Sequence, residues 1–242
     1  MWKYIIPLIF FSFPVFANDI YITQSGDNLD LAITQDGQDN EFGDSTTDVL
    51  LDGDDMTFSI TQTGNFNEID ALIKGNSYTG TWVFTGDDNT VDLTCDDTSG
   101  TNCEDVTLNI ATTGDDNKFL FRIGETGDAE DLVAVFTITG DGNVIDVDQD
   151  GKAADITVTI NNENSLASGT VSDSNSGLAT EAPGNYVKID QSGAGDSAGH
   201  SVTLSITGGG GWFSINQSGI YDTKVDATFV GDNAEVDIIQ RD

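Results

Sequence analysis

The sequence is poor in the residues that most catalytic and nucleic-acid sites require. It has one histidine, His200, and two cysteines, too few for a metal centre built from histidine or cysteine ligands. No serine, histidine and aspartate set has the surroundings of a catalytic triad, so we expect a protein that is not an enzyme. Only 8 lysines and arginines stand against 42 aspartates and glutamates, a net charge of −34. Nucleic acid is therefore a poor partner, because its phosphates need basic counter-charges.

Long hydrophobic runs are absent except at the N-terminus. There Lys3 precedes a run over residues 4–16 that is apolar apart from Ser12, and Val15 and Ala17 supply small residues before a cleavage point. This layout is typical of a secretory signal peptide, and the run is shorter than the about 20 residues of a transmembrane helix. We expect residues 1–17 to be removed and residues 18–242 to be secreted to the extracellular space or cell surface, with no membrane span. A retained membrane anchor is the alternative.

Proline is also scarce, with 3 in the chain, whereas glycine reaches 27. Extreme acidity can indicate disorder when apolar residues are few. Here 37% of the residues are hydrophobic, and they alternate with polar ones at the period of a β-strand. We therefore expect an ordered β protein with an acidic surface and many tight turns.

Residues 56–71 contain one unit of an internal repeat. Apolar residues of one parity precede Gly64, and residues of the opposite parity follow it, which predicts strand, turn and strand with both buried faces on one side. The residues predicted to face inward are Phe58, Ile60 and Gln62 before the turn and Asn67, Ile69 and Ala71 after it. The frame of the unit is Gln-x-Gly-x-x-Asn-x-apolar.

The frame recurs along most of the chain. Its glutamines are Gln24, Gln35, Gln62, Gln149, Gln191, Gln217 and Gln240, and its asparagines are Asn40, Asn67, Asn89, Asn117 and Asn143. Its predicted turn glycines are Gly26, Gly37, Gly64, Gly86, Gly114, Gly140, Gly151, Gly193, Gly219 and Gly231. Where glutamine is missing, the position holds Phe84, Thr112, Ile138, Ile206 or Phe229, as expected of an inward site that apolar residues also fill.

Stacking explains such a frame physically. A single unit cannot bury its apolar face, but units stacked about 4.8 Å apart bury a continuous core and pair every strand. Glutamine and asparagine at equivalent positions then form amide ladders along the stack. We predict an all-β, amyloid-like β-solenoid of strand–turn–strand repeats over residues 18–242. A Ser-, Gly- and Ala-rich loop excursion is expected at residues 165–184. An unrelated β-solenoid or sandwich is the alternative.

The repeated frame resembles that of curlin, the subunit of curli fibres, whose repeat reads Ser-x5-Gln-x-Gly-x-x-Asn-x-Ala-x3-Gln. The resemblance covers most of the chain after residue 17, although the curlin alanine position is mostly larger here. It implies a secreted subunit that self-associates into functional amyloid for surface adhesion or biofilm matrix, with curli-type secretion or nucleation partners. Two alternatives remain: an acidic β-solenoid adhesin that does not polymerise, and an enzyme on a β-helix.

Two further features bear on chemistry. Cys95 and Cys103 bracket a short segment, and an oxidising compartment predicts a disulfide between them. Residues 146–151 match the first half of an EF-hand loop, but Thr157 stands where the last ligand, a glutamate, would be. We therefore expect no cofactor and no specific metal site, and at most loose calcium binding by the acidic turns.

Overall fold

The structure is a computed structural model that describes residues 19–43, 46, 49–95, 103–124, 129–140, 142–152, 154–161, 186–192, 200–207, 212–218, 223–230 and 235–241. The predicted signal peptide and the proposed loop at 165–184 lie outside these residues. So do three of the predicted turn glycines, Gly193, Gly219 and Gly231.

The described residues form strands joined by short turns. In chain order the strands are β1 (Thr23–Ser25), β2 (Asp30–Asp36), β3 (Glu41–Phe42), β4 (Val49–Asp52), β5 (Thr57–Thr63), β6 (Glu68–Lys74), β7 (Thr79–Thr85), β8 (Thr90–Cys95), β9 (Thr107–Thr113), β10 (Lys118–Ile123), β11 (Ala129–Glu130), β12 (Val133–Thr139), β13 (Val144–Lys152), β14 (Asp155–Asn161), β15 (Tyr186–Ser192), β16 (Ser201–Thr207), β17 (Trp212–Ser218), β18 (Lys224–Val230) and β19 (Glu235–Arg241). A membrane-spanning helix of sufficient length and apolarity does not occur in this part of the chain.

The strands build two parallel sheets that face each other. Sheet 1 has the order β1-β4-β6-β8-β10-β13-β15-β17-β19, with β3 beside β6 and β11 beside β13. Sheet 2 has the order β18-β16-β14-β12-β9-β7-β5-β2. The chain passes from one sheet to the other and back, so each rung adds one strand to each sheet. The predicted β-solenoid is confirmed.

The core lies between the two sheets because the inward side chains alternate as the repeat requires. Phe58, Ile60 and Gln62 of β5 are buried, and so are Ile69 and Ala71 of β6. The intervening residues face outward. Large side chains bridge the gap between the sheets, and the rings of Phe84 in sheet 2 and Phe119 in sheet 1 are 5.6 Å apart. The predicted parity of residues 56–71 is therefore confirmed.

Glycine at the corners allows the rungs to stack directly. Gly64 and Gly86 have φ values of 125° and 131°, in the region that favours glycine. A Cβ atom on Gly64 would overlap the carbonyl oxygen of Gly37, and one on Gly86 would overlap that of Gly64. Six predicted turn glycines have positive φ: Gly26, Gly37, Gly64, Gly86, Gly114 and Gly140. The glycine is thus needed for close stacking as well as for the bend.

Gly151 departs from the prediction, because it lies within strand β13 and not in a turn. Its backbone pairs with Ala129 of β11. It still precedes the next inward residue, Ala154, by three positions, as Gly53 precedes Met56 at the same corner of an earlier rung. The short strand β11 supplies a partner that keeps the backbone extended there.

Rungs of different length stack in the same register because the extra residues fall at the ends of strands. The inward asparagines Asn67 and Asn89 are 22 residues apart, whereas Asn89 and Asn117 are 28 apart. In the longer rung the additional residues lie between Cys95 and Cys103. The strand pairing is unaffected: Ile73, Cys95 and Ile123 stand in register across β6, β8 and β10.

The predicted disulfide between Cys95 and Cys103 is confirmed, with a sequence separation of 8. Both cysteines are buried in the hydrophobic core. Cys95 ends β8 on the inward side, and Cys103 lies shortly before β9. The bond therefore closes the corner between the two sheets and also fills core volume.

Candidate functional site

A ladder of five buried asparagines runs along one corner of the solenoid. The side-chain nitrogen of each residue donates to the side-chain oxygen of the next, at distances from 2.8 to 3.1 Å. The backbone nitrogen of each donates to the same oxygen, at 2.9 to 3.1 Å. In order the residues are Asn40, Asn67, Asn89, Asn117 and Asn143, as predicted.

Asn89 shows why asparagine fits this position. Its Oδ1 accepts from the backbone nitrogen of Asn67 at 3.0 Å and from the side-chain nitrogen of Asn67 at 2.9 Å. Its Nδ2 donates to the carbonyl oxygen of Gly86 at 3.0 Å and to Oδ1 of Asn117 at 2.9 Å. A primary amide has two acceptor sites and two donor hydrogens, so this side chain is fully satisfied while buried. Aspartate would lack the donors, and leucine would lack both.

The predicted glutamine ladder is confirmed in two separate pieces. In sheet 2, Gln62 donates to Gln35 at 2.8 Å. In sheet 1, Gln217 donates to Gln191 at 2.9 Å and Gln240 donates to Gln217 at 3.0 Å. Gln149 is buried and stands in register with Gln191. The pieces are on different sheets because the Gln-x-Gly frame can end a strand of either sheet.

Gln24 does not join either piece, contrary to the prediction. It lies on β1 in register with Leu51, so the next inward residue of the column is apolar. Its amide instead donates to the carbonyl oxygen of Gly26. In sheet 2 the expected replacements for glutamine do follow Gln62 in register, as Phe84, Thr112, Ile138, Ile206 and Phe229, with Ile160 between the two isoleucines.

Acidic residues at the corners have a structural role that the sequence reading missed. Oδ1 of Asp87 accepts from the backbone nitrogen of Asp115 at 2.7 Å. At the other corner, Oδ1 of Asp27 accepts from the backbone nitrogen of Asp54 at 3.0 Å. Each such carboxylate satisfies an N–H of the neighbouring rung. The sequence signal is the aspartate or asparagine directly after a turn glycine.

The outward face of sheet 1 carries ion pairs within and between rungs. Arg122 lies 2.8 Å from Asp92, and Lys188 lies 2.9 Å from Asp190 and 3.5 Å from Asp146. Partial burial opposes the charge of Lys188, but the hydrogen bond with Asp190 and the nearby acids outweigh it and raise its pKa above the usual range. These bases offset part of the repulsion between stacked carboxylates.

A metal centre is not found among the described residues. Within them no three histidine, cysteine or acidic side chains come together as metal ligands. Asp146 and Asp148, from the EF-hand-like segment, both lie on the outward side of β13, with Asp146 paired to Lys188. The two ends and the two outward faces are the candidate surfaces that the described residues present.

Both ends of the described solenoid are open. At one end β19 pairs only with β17, and β18 pairs only with β16. Val236 and Ile238, which continue the inward columns of Phe213 and Ile215, are 39% and 41% exposed. At the other end, the inward residues Ile20, Ile22, Leu29 and Leu31 are only partly buried. Each end thus presents free strand edges together with uncovered apolar side chains.

No family model, curated protein or solved structure matches the chain. The resemblance to curlins accordingly rests on the repeat frame.

Proposed function

We propose that the protein is a secreted structural fibre subunit, a curli-like functional amyloid for surface adhesion or biofilm matrix. The observation that carries the proposal is the open, apolar rung at each end. Unpaired strand edges are templates for pairing with another chain. Because the two ends are different surfaces, their contact is heterologous, and a heterologous contact that does not close on itself produces a filament.

The register within the solenoid defines the register between copies. Gln24 and Gln240 occupy the same inward column of sheet 1, at its two ends. Placing β1 of one copy beside β19 of the next therefore sets Gln24 against Gln240 and Ile22 against Ile238. The amide ladder and the apolar column both continue across such a junction. Burying the exposed apolar surface supplies the driving force.

Charge distinguishes this junction from a second one. Asp30 of β2 and Lys224 of β18 occupy the same outward column of sheet 2 at opposite ends, and both side chains are exposed. Because β19 extends sheet 1 one rung beyond β18, placing β1 beside β19 leaves Asp30 two rungs away from Lys224. The two residues become neighbours only if copies meet through β2 and β18.

Two neighbouring isoleucines allow a matched test. Ile238 and Ile239 are 41% and 40% exposed, but Ile238 continues an inward column and Ile239 faces outward. We expect Ile238→Asp to abolish filament formation by the mature chain, as judged by electron microscopy and amyloid-dye binding. Ile239→Asp should leave assembly nearly unchanged. Equal effects of the two substitutions would refute assembly through this rung.

A charge exchange tests the register separately. With β1 beside β19, Lys224→Glu should leave filament growth nearly unchanged, because Asp30 of the next copy is two rungs away. Slower growth that Asp30→Lys restores would mean that the copies meet through β2 and β18 instead. A chain that stays monomeric in all salt and calcium conditions would favour the alternative, an acidic β-solenoid adhesin that acts without polymerising.

The proposal extends to partners outside the fibre. A subunit of this kind needs an export route and a nucleating surface, and we propose curli-type secretion or nucleation partners for both. Calcium is proposed only as a loosely held counter-ion of the acidic corners, such as those at Asp27 and Asp87.

A further inference from the structure

The outward side of sheet 2 is a regular array of small polar side chains. We define the threonine face as the outward residues of its six central strands, β5, β7, β9, β12, β14 and β16. Threonine holds more than half of these positions. They are Thr57, Ser59, Thr61, Thr63, Thr79, Thr81, Val83, Thr85, Thr107, Asn109, Ala111, Thr113, Val133, Val135, Thr137, Thr139, Asp155, Thr157, Thr159, Asn161, Ser201, Thr203, Ser205 and Thr207.

The threonine face is almost free of charge in a chain of net charge −34. Asp155 is its only ionisable side chain, and it lies at one margin of the face. The outward side of sheet 1, in contrast, carries the ion pairs of Arg122 and Lys188. Charged outward residues of sheet 2 occur instead on its two outermost strands, as Asp30 and Asp36 of β2 and Lys224 and Asp226 of β18. The face therefore has the composition of a surface that meets an uncharged partner.

The array is periodic in two directions. Thr63, Thr85, Thr113 and Thr139 form one column over four consecutive rungs, in direct register. Neighbouring rungs are about 4.8 Å apart, and successive outward residues of one strand are about 6.6 Å apart. Threonine is stiff at χ1 because it is β-branched, so its hydroxyl and methyl groups repeat with the backbone. The result is a two-dimensional array of mostly threonine side chains that repeats at these two spacings.

Such a surface lacks the groups that bind proteins or sugars tightly. Protein interfaces depend on tryptophan, tyrosine and arginine anchors, and threonine is under-represented among their energetic centres. A tightly packed contact between two copies needs side chains that interdigitate, whereas these side chains are short and nearly equal in size. The face also has no aromatic ring on which a sugar could stack. The remaining candidate ligand is a repeating lattice of water. Hydroxyl groups can hydrogen-bond to ordered water, and methyl groups do not compete for these hydrogen bonds.

We propose that the threonine face binds ice. The oxygen lattice of hexagonal ice repeats along two perpendicular directions at lengths close to the two spacings of this face. Water held by the hydroxyl groups and ordered around the methyl groups can then join the crystal. The absence of charge matters because an ionised side chain organises water around itself in a geometry that ice does not have. This inference does not depend on fibre formation, although a fibre would repeat the face many times.

The test is thermal hysteresis and ice recrystallisation of the mature chain, with one substitution placed on each side of the solenoid. Thr113→Lys puts a long charged side chain into the threonine column of Thr63, Thr85 and Thr139, at an exposed site. Thr90→Lys puts the same side chain on the outward face of sheet 1, between Glu68 and Lys118. Melting followed by circular dichroism checks that both variants fold. We expect the unsubstituted chain and Thr90→Lys to shape and retain ice, and Thr113→Lys to lose most of the hysteresis.

Other results would overturn the proposal. They include absence of hysteresis in the unsubstituted chain, both as monomer and as filament, and equal losses in the two variants. Dimerisation or retention on cellulose or chitin that Thr113→Lys abolishes, without any effect of the protein on ice, would assign the face to a second copy or to a polysaccharide. Since Ile238→Asp blocks the proposed junction and leaves the threonine face intact, ice binding by that variant separates the two proposals.

Discussion

Replacing one asparagine of the ladder should cost a large part of the folding free energy. Asn89→Ala removes the acceptor of two donors of Asn67, the backbone N–H and one side-chain hydrogen. It also removes the donors to Gly86 and Asn117, although Asn117 still accepts from the backbone nitrogen of residue 89. A buried donor without a partner costs about 1–3 kcal/mol, so two give a loss of about 4 kcal/mol.

The matched control is Asn109→Ala. Asn109 is exposed on the outward side of β9, where a substitution should change stability by less than about 0.5 kcal/mol. Guanidinium unfolding followed by circular dichroism measures both variants, and an unchanged m-value shows that the same surface is exposed on unfolding. A loss below about 1 kcal/mol for Asn89→Ala, or one no larger than that of Asn109→Ala, would refute the buried ladder.

Four further predictions follow from the core, the corners and the charge. Ile69→Asp should cost several kcal/mol because Ile69 is fully buried, whereas Asp70→Asn should change stability by less than about 0.5 kcal/mol; similar losses in denaturant unfolding would show that the strand parity is wrong. Burial raises the pKa of Tyr78 well above its usual value of about 10. The buried neutral phenol therefore contributes fully to the free energy of unfolding below that pH, and this contribution falls as the pH rises further. Tyr78→Phe should therefore lose less stability than the unsubstituted chain between pH 9 and 11, and parallel pH profiles would contradict this. Replacing Cys95 and Cys103 with alanine should lower the free energy of unfolding by about 2–3 kcal/mol, and an unchanged midpoint in denaturant would mean that the bond does not constrain the unfolded chain. Filament growth should accelerate with sodium chloride, because the Debye length falls from about 10 Å at 0.1 M to 3 Å at 1 M; a flat response would show that stacked acids do not oppose assembly, and a response to calcium alone would indicate specific sites.

The repeat frame predicted the fold because one position carries several constraints at once. Gly64 must bend the chain and also admit the carbonyl oxygen of Gly37, so no other residue type fits. The side chain of Asn67 must donate two hydrogen bonds and accept two in the core. When every rung requires the same residue at the same position, the pattern can be recognised in a single sequence. The alternation of Phe58, Ile60 and Gln62 is legible for the same reason, since a shift of one residue would move all three to the wrong face.

Sheet membership could not be predicted in the same way. Gln24 and Gln35 both precede a turn glycine by two residues, yet Gln24 belongs to sheet 1 and Gln35 to sheet 2. A strand and its turn follow the same sequence frame in either sheet. Only the lengths of the corner loops determine which strands pair. The partition of charge between the two faces depends on this assignment. The threonine face therefore depends on the pairing of the strands of sheet 2, which the sequence alone does not define.

The corner aspartates were misread for a different reason. A carboxylate after a turn glycine looks like a solvated surface residue in the sequence. In the structure Asp87 accepts a backbone N–H from the next rung. Its neighbour Asp88 adopts a φ of 58°, a left-handed conformation that aspartate tolerates better than most residues. In the amino-acid composition these residues count only as negative charge, whereas in the fold they accept hydrogen bonds and adopt the backbone conformation of the turn.

X-ray diffraction from aligned filaments of the mature chain tests the central claim most directly. If copies stack end to end in register, the rungs of all copies are perpendicular to the filament axis. We then expect a meridional reflection at about 4.8 Å and an equatorial reflection near 10 Å from the two facing sheets. A 4.8 Å reflection on the equator, or filaments without one, would contradict assembly through the open rungs.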